Sequence, residues 1–208
     1  MRAALNRALD DQLVSSDLAW RVALRPIKNA DRRRDIYLDR VDRAKLIGKA
    51  ADEIEPFLRA MAVLPLRPGA LASLKVGDFN SRLRSLRIGV DKAGRERRIT
   101  LPEGTADALK QQAKAKLPSA PLFARADGSA WNKDSWKWPV KEAVLAAGLA
   151  PAATAYSLRH SVITDLVGEG LDLLTIAQIS GTSVAMIEKF YGHLRQERAA
   201  AALATLTL

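Results

Sequence analysis

The sequence predicts a mainly α-helical domain with a small antiparallel β-sheet inserted in it, an α+β arrangement. Three observations predict it. Apolar residues recur at helical spacing along most of the chain, from Leu5, Leu9 and Leu13 to Leu158, Val162, Ile163, Leu166 and Val167. In one stretch, "RLRSLRIGVDKAGRERRITLP", the period drops to two: Leu83, Ser85 and Arg87 alternate with Leu86, Ile88 and Val90. Finally, 48% of the 208 residues are hydrophobic, which suffices for one packed core.

Taken in order, residues 1–14 read as a short helix. "SSDLAWRVALRPIKNADRRRD" has no sustained period and carries Pro26 and the basic run Arg32–Arg34, so it reads as a linker or an arm reaching toward phosphate. From Asp42 to Leu64 the pattern is helical with a break near "DEIEP", where Pro56 suits a first turn. Pro68 opens a short helix with Leu71 and Leu74 inward. The hairpin follows, turning at "DKAGR", with its charges on one face and around the turn. Residues 103–116 return to helix, and "APLFA" is a short apolar piece. "NKDSWKWPVKEAVLAAGL" is a helix ended by Gly148, kinked or started late by Pro139. Ser157 can cap the next helix, which Gly168 and Gly170 end. "DLLTIAQISG" is a further helix, another begins at Ser183, and the Ala-rich tail "RQERAAAALATLTL" continues as helix.

A net charge of +10 favours a polyanionic partner, nucleic acid above all, against the plainer reading of a basic solvated surface. Aromatic residues are few, at 5%, and do not interleave with the basic clusters, which disfavours single-strand binding by base stacking. The sequence has no cysteine, no His/Asp/Glu cluster at metal spacing and no Gly-rich loop after a strand, so no metal, cofactor or nucleotide cradle is expected. No apolar run is long enough to span a membrane and the N-terminus lacks a signal-peptide core, so the expected location is cytoplasmic.

Four features carry chemistry: Arg67 in "LPLRPGAL", Lys92 in the hairpin turn, the group Tyr156, Arg159 and His160 in "AYSLRHSVITDLVGEG", and Tyr191 in "KFYGH". Singly they say little, since an arginine near a helix start or a lysine in a turn is ordinarily a solvated surface residue. Their order is more specific. Arginine, lysine in a β-turn, arginine-histidine opening a helix, then a tyrosine near the C-terminus resembles the catalytic domain of the tyrosine recombinases, the phage-integrase family. The resemblance runs from about Ile36 to His193 and includes the filler "LRPGAL", "VDKAGRERRITLP" and "FYGH".

That resemblance implies a site-specific DNA recombinase that cleaves and rejoins double-stranded DNA through a 3′-phosphotyrosine intermediate. Tyr191 would be the nucleophile. Arg67 and Arg159 would hold the phosphoryl oxygens as bidentate forks, with Arg159 aided by the free N–H groups of a helix N-terminus. Lys92 would protonate the leaving 5′ oxygen, and no cofactor would be needed. It also implies a layout: residues 1–35 as the tail of a core-binding domain plus linker, 36–194 as the catalytic domain, and 195–208 as a C-terminal tail, either lent to a neighbouring protomer in a tetrameric synapse or docked on its own core.

This sequence departs from the family pattern at three places. The family has histidine where Tyr156 stands, histidine or tryptophan where Thr182 stands, and often an acidic residue where Ala70 stands. A tyrosine, with a reference pKa of about 10, is a poor proton acceptor near neutrality but can still hydrogen-bond a phosphate. These departures imply an attenuated enzyme or a specialised relative. His160 reads as a packing and hydrogen-bonding residue, and His193 as one that positions the nucleophile segment. A rival reading takes "TIAQISGTSVAMIEKF" as a helix-turn-helix, with Ala177, Gly181 and Ile187 at its small, turn and apolar positions, in a DNA-binding regulator without catalysis. A degenerate recombinase that keeps only binding is the third reading. The rival leaves Arg67, Lys92 and Arg159 unexplained.

Overall fold

The computed structural model describes residues 1–25, 36–90 and 96–204, with the backbone alone at 90, 195–199 and 201–202. The chain divides into two units, Met1–Arg33 and Arg34–Leu208. The basic run Arg32–Arg34 and the hairpin turn with Lys92 lie outside the described residues.

The first unit holds α1 (Arg2–Asp10) and α2 (Leu18–Arg21). The second helix is a departure from the linker reading. Trp20 is its cause: the indole is buried and its Nε1 donates to Asn6 Oδ1 at 3.0 Å, while Arg2 reaches the Leu24 carbonyl at 2.9 Å. One aromatic anchor thus organises a segment that shows no apolar period.

The second unit begins with α3 (Arg40–Gly48), α4 (Glu55–Met61) and α5 (Pro68–Ala72). Asp39 caps α3 by accepting from the Asp42 amide, and prolines occupy the first turns of α4 and α5, where a missing N–H costs nothing. The sheet follows: β1 (Phe79–Asn80), β2 (Ser85–Val90) and β3 (Glu96–Thr100), antiparallel in that order. The hairpin is as expected, and the short β1 is an addition that the period could not reveal in two residues. Leu86 and Ile99 pair across the ladder and are both buried. The register shifts between Arg87 and Val90, where Gly89 at φ +49° admits the extra residue of a bulge.

Next come α6 (Glu103–Ala113), α7 (Lys137–Ala146), α8 (Ala155–Gly168), α9 (Leu173–Ser180) and α10 (Val184–Ala204). Pro139 delays α7 rather than kinking it, since the helix begins two residues earlier, at Lys137. The start of α8 also differs from expectation. Its N-cap is Thr154, and Ser157 sits three residues inside, where its Oγ accepts from the Thr154 amide at 3.1 Å. The hydroxyl does serve the helix start, but from the N3 side of a capping box.

Two apolar clusters fill this unit. The larger joins α3 to α7, the sheet and the first half of α8, around Phe57, Leu66, Leu86, Leu122 and Leu158. The smaller joins the second half of α8 to α9 and α10, through Ile163, Val167, Ile176, Ile187 and Tyr191. A buried polar tie fixes α8 against α3: Arg43 pairs with Asp165 and donates to the Ala62 carbonyl at 3.2 Å, and Tyr37 donates to Asp165 at 2.7 Å. Ser161 extends it, accepting from the Leu38 amide at 2.8 Å and donating to the Ser157 carbonyl at 2.9 Å. Among the described residues no helix is long and apolar enough to cross a membrane.

Candidate active site

The α9–α10 turn, Ser180-Gly181-Thr182, is the point on which the arginines converge. Asp172 caps α9 by accepting from the Thr175 amide at 2.8 Å. At its other end Gly181 takes the left-handed conformation, φ +69°, and the amides of Gly181 and Thr182 both return to the Ala177 carbonyl, at 2.9 and 3.1 Å. This leaves the Ser180 and Gly181 carbonyls directed at guanidinium groups.

Arg159, on α8, is buried, and its Nη1 donates to the Pro65 carbonyl and, at 2.9 Å, to the Ser180 carbonyl. One side chain so ties the α4–α5 connection to the end of α9. Burial pushes its pKa down to about 10, and the nearby charges of Arg67 and Arg97 push the same way, while Tyr191 and Tyr156 oppose them. It remains a cation at neutral pH. Arg159 is five residues past Thr154, in the second turn of α8, so the expected help from the helix N-terminus does not apply to it. The first turn carries Tyr156 instead.

Arg67 is exposed and precedes Pro68, which confines it to extended backbone, here φ −65° and ψ 141°. Its Nη1 donates to the Gly181 carbonyl. Tyr191, on α10, is only 9% exposed and belongs to the smaller apolar cluster. Its hydroxyl lies 2.9 Å from His160 Nδ1, with the two rings tilted by 33° and 5.1 Å apart. Tyr156 is exposed and Thr182 half-buried. The structure therefore gathers Arg67, Arg159, Tyr156, Thr182 and Tyr191 in one region.

One neighbour of the site, Arg97, is not singled out by the sequence, where it is one among the charges of the hairpin. Its strand alternates, however, and Arg97 shares the inward face of Ile99 while Glu96 and Arg98 face out. The Arg97 guanidinium lies against Gly181: a Cβ there would fall on it, within 2.6 Å of Cζ. An arginine two residues before a buried isoleucine was the available signal. His160, expected to pack and hydrogen-bond, does so with the Tyr191 hydroxyl, a partner the sequence does not name. Ala70 packs against the larger cluster as a plain apolar residue.

Over residues 46–198 the chain matches the family model described as the phage integrase family. The chain belongs to the phage integrase family. It is 29% identical over 203 residues to the tyrosine recombinase XerC of Corynebacterium efficiens, covering 92% of this chain and 64% of that protein's length. Among solved structures, the XerA recombinase superposes with a TM-score of 0.68 at 20% identity, over 87% of this chain and 68% of that one. The Tn1549 transposon integrase in complex with transposon right end DNA gives 0.72 at 17% identity, over 98% and 76%. These likenesses establish the phage-integrase catalytic fold, with its small sheet beside the helices. The convergence of Arg67 and Arg159 on one turn, with Tyr191 on the helix that follows, is the arrangement of this chain within that fold.

Proposed function

We propose that the chain is the catalytic part of a site-specific recombinase that cleaves and rejoins double-stranded DNA through a tyrosine–phosphate bond. The observation that carries this is the convergence of Arg159 and Arg67 on the Ser180–Gly181 turn, in the same unit as Tyr191. On this reading Tyr191 attacks the phosphodiester, and the two guanidinium groups stabilise the charge that grows on the phosphoryl oxygens. Lys92 protonates the 5′ oxygen. Tyr156, exposed in the first turn of α8, donates a hydrogen bond to the phosphate, and Thr182 supplies a smaller one. The net charge of +10 suits a DNA partner, and the work is cytoplasmic.

The layout carries over as part of the proposal. Residues 1–35 are the end of a preceding DNA-binding domain with its linker, and residues 36–194 are the catalytic domain. Residues 195–208 dock on a neighbouring protomer within a tetramer on DNA. Deleting 196–208 would then reduce assembly more than DNA retention, and equal loss of both would refute exchange.

The deciding experiment is to trap a covalent protein–DNA adduct and map the attachment residue. Attachment at Tyr191, lost in Tyr191→Phe, supports the proposal. Firm DNA binding without any adduct favours the second reading, a binding-only relative, which Tyr156 and Thr182 at two of the three divergent positions recommend.

A further inference from the structure

We infer that His160 is the group that takes the hydroxyl proton of Tyr191 as that tyrosine attacks, an inference that rests on the phosphotyrosine chemistry proposed above. His160 Nδ1 and the Tyr191 hydroxyl are 2.9 Å apart, within the reach a general base needs. The contact joins α8 to α10 where Tyr191 is only 9% exposed, so bulk water is a poor substitute acceptor. His160 lies four residues after Tyr156, one turn along the same flank of α8. A phenol at 156 cannot readily accept a proton at neutral pH, whereas an imidazole, with an ordinary pKa of about 6.5, can.

The step balances. An Oη lone pair of Tyr191 forms the new bond to phosphorus, and the Oη proton passes to His160 Nδ1. The bond from phosphorus to O5′ breaks, its electron pair stays on O5′, and O5′ takes a proton from the leaving-group acid assigned above to Lys92. In rejoining, the His160 imidazolium returns its proton to Oη as the phenolate departs. The scheme requires neutral His160 to carry its proton on Nε2, so that Nδ1 accepts from the hydroxyl.

That tautomer can be read without DNA. The sequence has two histidines, His160 and His193, so the full chain labelled with 15N-histidine gives two imidazole spin systems, assigned through His193→Gln. The expected result is Nε2–H with an unprotonated Nδ1 whose resonance moves in Tyr191→Phe. A proton resident on Nδ1 overturns the inference.

The second arm uses His160→Asn, which can accept a hydrogen bond but not a proton, with a duplex that the full chain selects from a random-sequence pool as the probe. Adduct formation should slow by about 10²–10⁴-fold while retention of the duplex and the melting temperature hold. Added imidazole should partly restore His160→Ala. A His160→Asn variant that cleaves as fast as the wild type, or faster, overturns the inference. So does its rescue by a 5′-bridging phosphorothiolate, whose sulfur leaves without an acid and would place His160 on the leaving side. Wild-type adduct with an unimpaired His160→Asn sinks this inference alone; no wild-type adduct removes the recombinase reading and this inference with it.

Discussion

Gly181→Ala probes the convergence of arginines on the α9–α10 turn, and its cost has two separable parts. The first is backbone strain. Gly181 sits at φ +69° and ψ 46°, where an L-residue costs about 1–2 kcal/mol. The second is the displacement of Arg97, whose guanidinium carbon would lie 2.6 Å from the new Cβ. That group ends a flexible side chain, so it moves rather than splitting the helices, and a coupling of about 1 kcal/mol is expected for such a contact. Gly181→Ala should therefore cost about 2–3 kcal/mol in the wild type and about 1–2 kcal/mol in an Arg97→Ala background. At 2–4 °C per kcal/mol for a domain of this size, the wild-type loss is about 4–12 °C in Tm. Urea denaturation of the four proteins of the cycle measures the coupling directly. Equal costs in the two backgrounds, within about 0.3 kcal/mol, would show that Arg97 does not rest on Gly181 and would refute the three-arginine geometry.

Asp165→Ala should destabilise the domain by about 3 kcal/mol, because it strands the buried Arg43 guanidinium; a loss below about 1 kcal/mol in urea would mean that Arg43 rehydrates. Donation of its hydroxyl to Asp165 raises the Tyr37 pKa above 10.0, with burial and the carboxylate charge acting the same way. A raised folded-state value contributes stability below the unfolded pKa, and this is lost as pH climbs through the folded one. The Tm should therefore fall as the pH climbs above about 10 more steeply in the wild type than in Tyr37→Phe, and parallel slopes would discount the bond. Tyr156→His should speed adduct formation if the tyrosine attenuates the site, by up to the roughly 10²–10⁴-fold that acid–base help supplies; no acceleration would mean that Tyr156 performs its role as a hydrogen-bond donor.

What the sequence could reveal follows from where the physical signal is local. The helices α3 to α10 and the β2–β3 hairpin announce themselves through period and through Pro56, Pro68, Gly148 and Gly181, each of which acts on its own neighbours in the chain. α2 was hidden because one buried indole, not a period, holds it. β1 was hidden because two residues carry no alternation. In the site, the resemblance to the tyrosine recombinases assigned Arg67, Arg159 and Tyr191 to phosphate chemistry, but the partners that aim them could not be read. The carbonyls of Pro65, Ser180 and Gly181 are backbone atoms brought together by tertiary packing, and every residue has one. The hydrogen-bonding role expected of His160 is met, but its partner could not be read for the same reason, since the contact with Tyr191 spans 31 positions.

The helix-turn-helix rival for α9 and α10 is weakened by the same carbonyls. In that motif the turn serves only to set the angle of a helix that reads a groove. Here two of the three turn residues accept hydrogen bonds from arginines lying 21 and 114 positions away, and the guanidinium of a third, Arg97, rests where a Cβ of residue 181 would stand. The turn is thus a mount for cations. Holding them there is unfavourable by itself: burial first, and then the charges of Arg67 and Arg97, lower the Arg159 pKa. An anion at the site relieves that repulsion, and the relief grows with the anion's charge. A phosphodiester carries one negative charge and gains more as a nucleophile adds, so this site would hold the transition state more tightly than the ground state. A binding-only protein would gain nothing from that difference, which is why the arginine geometry, more than the presence of Tyr191, favours catalysis.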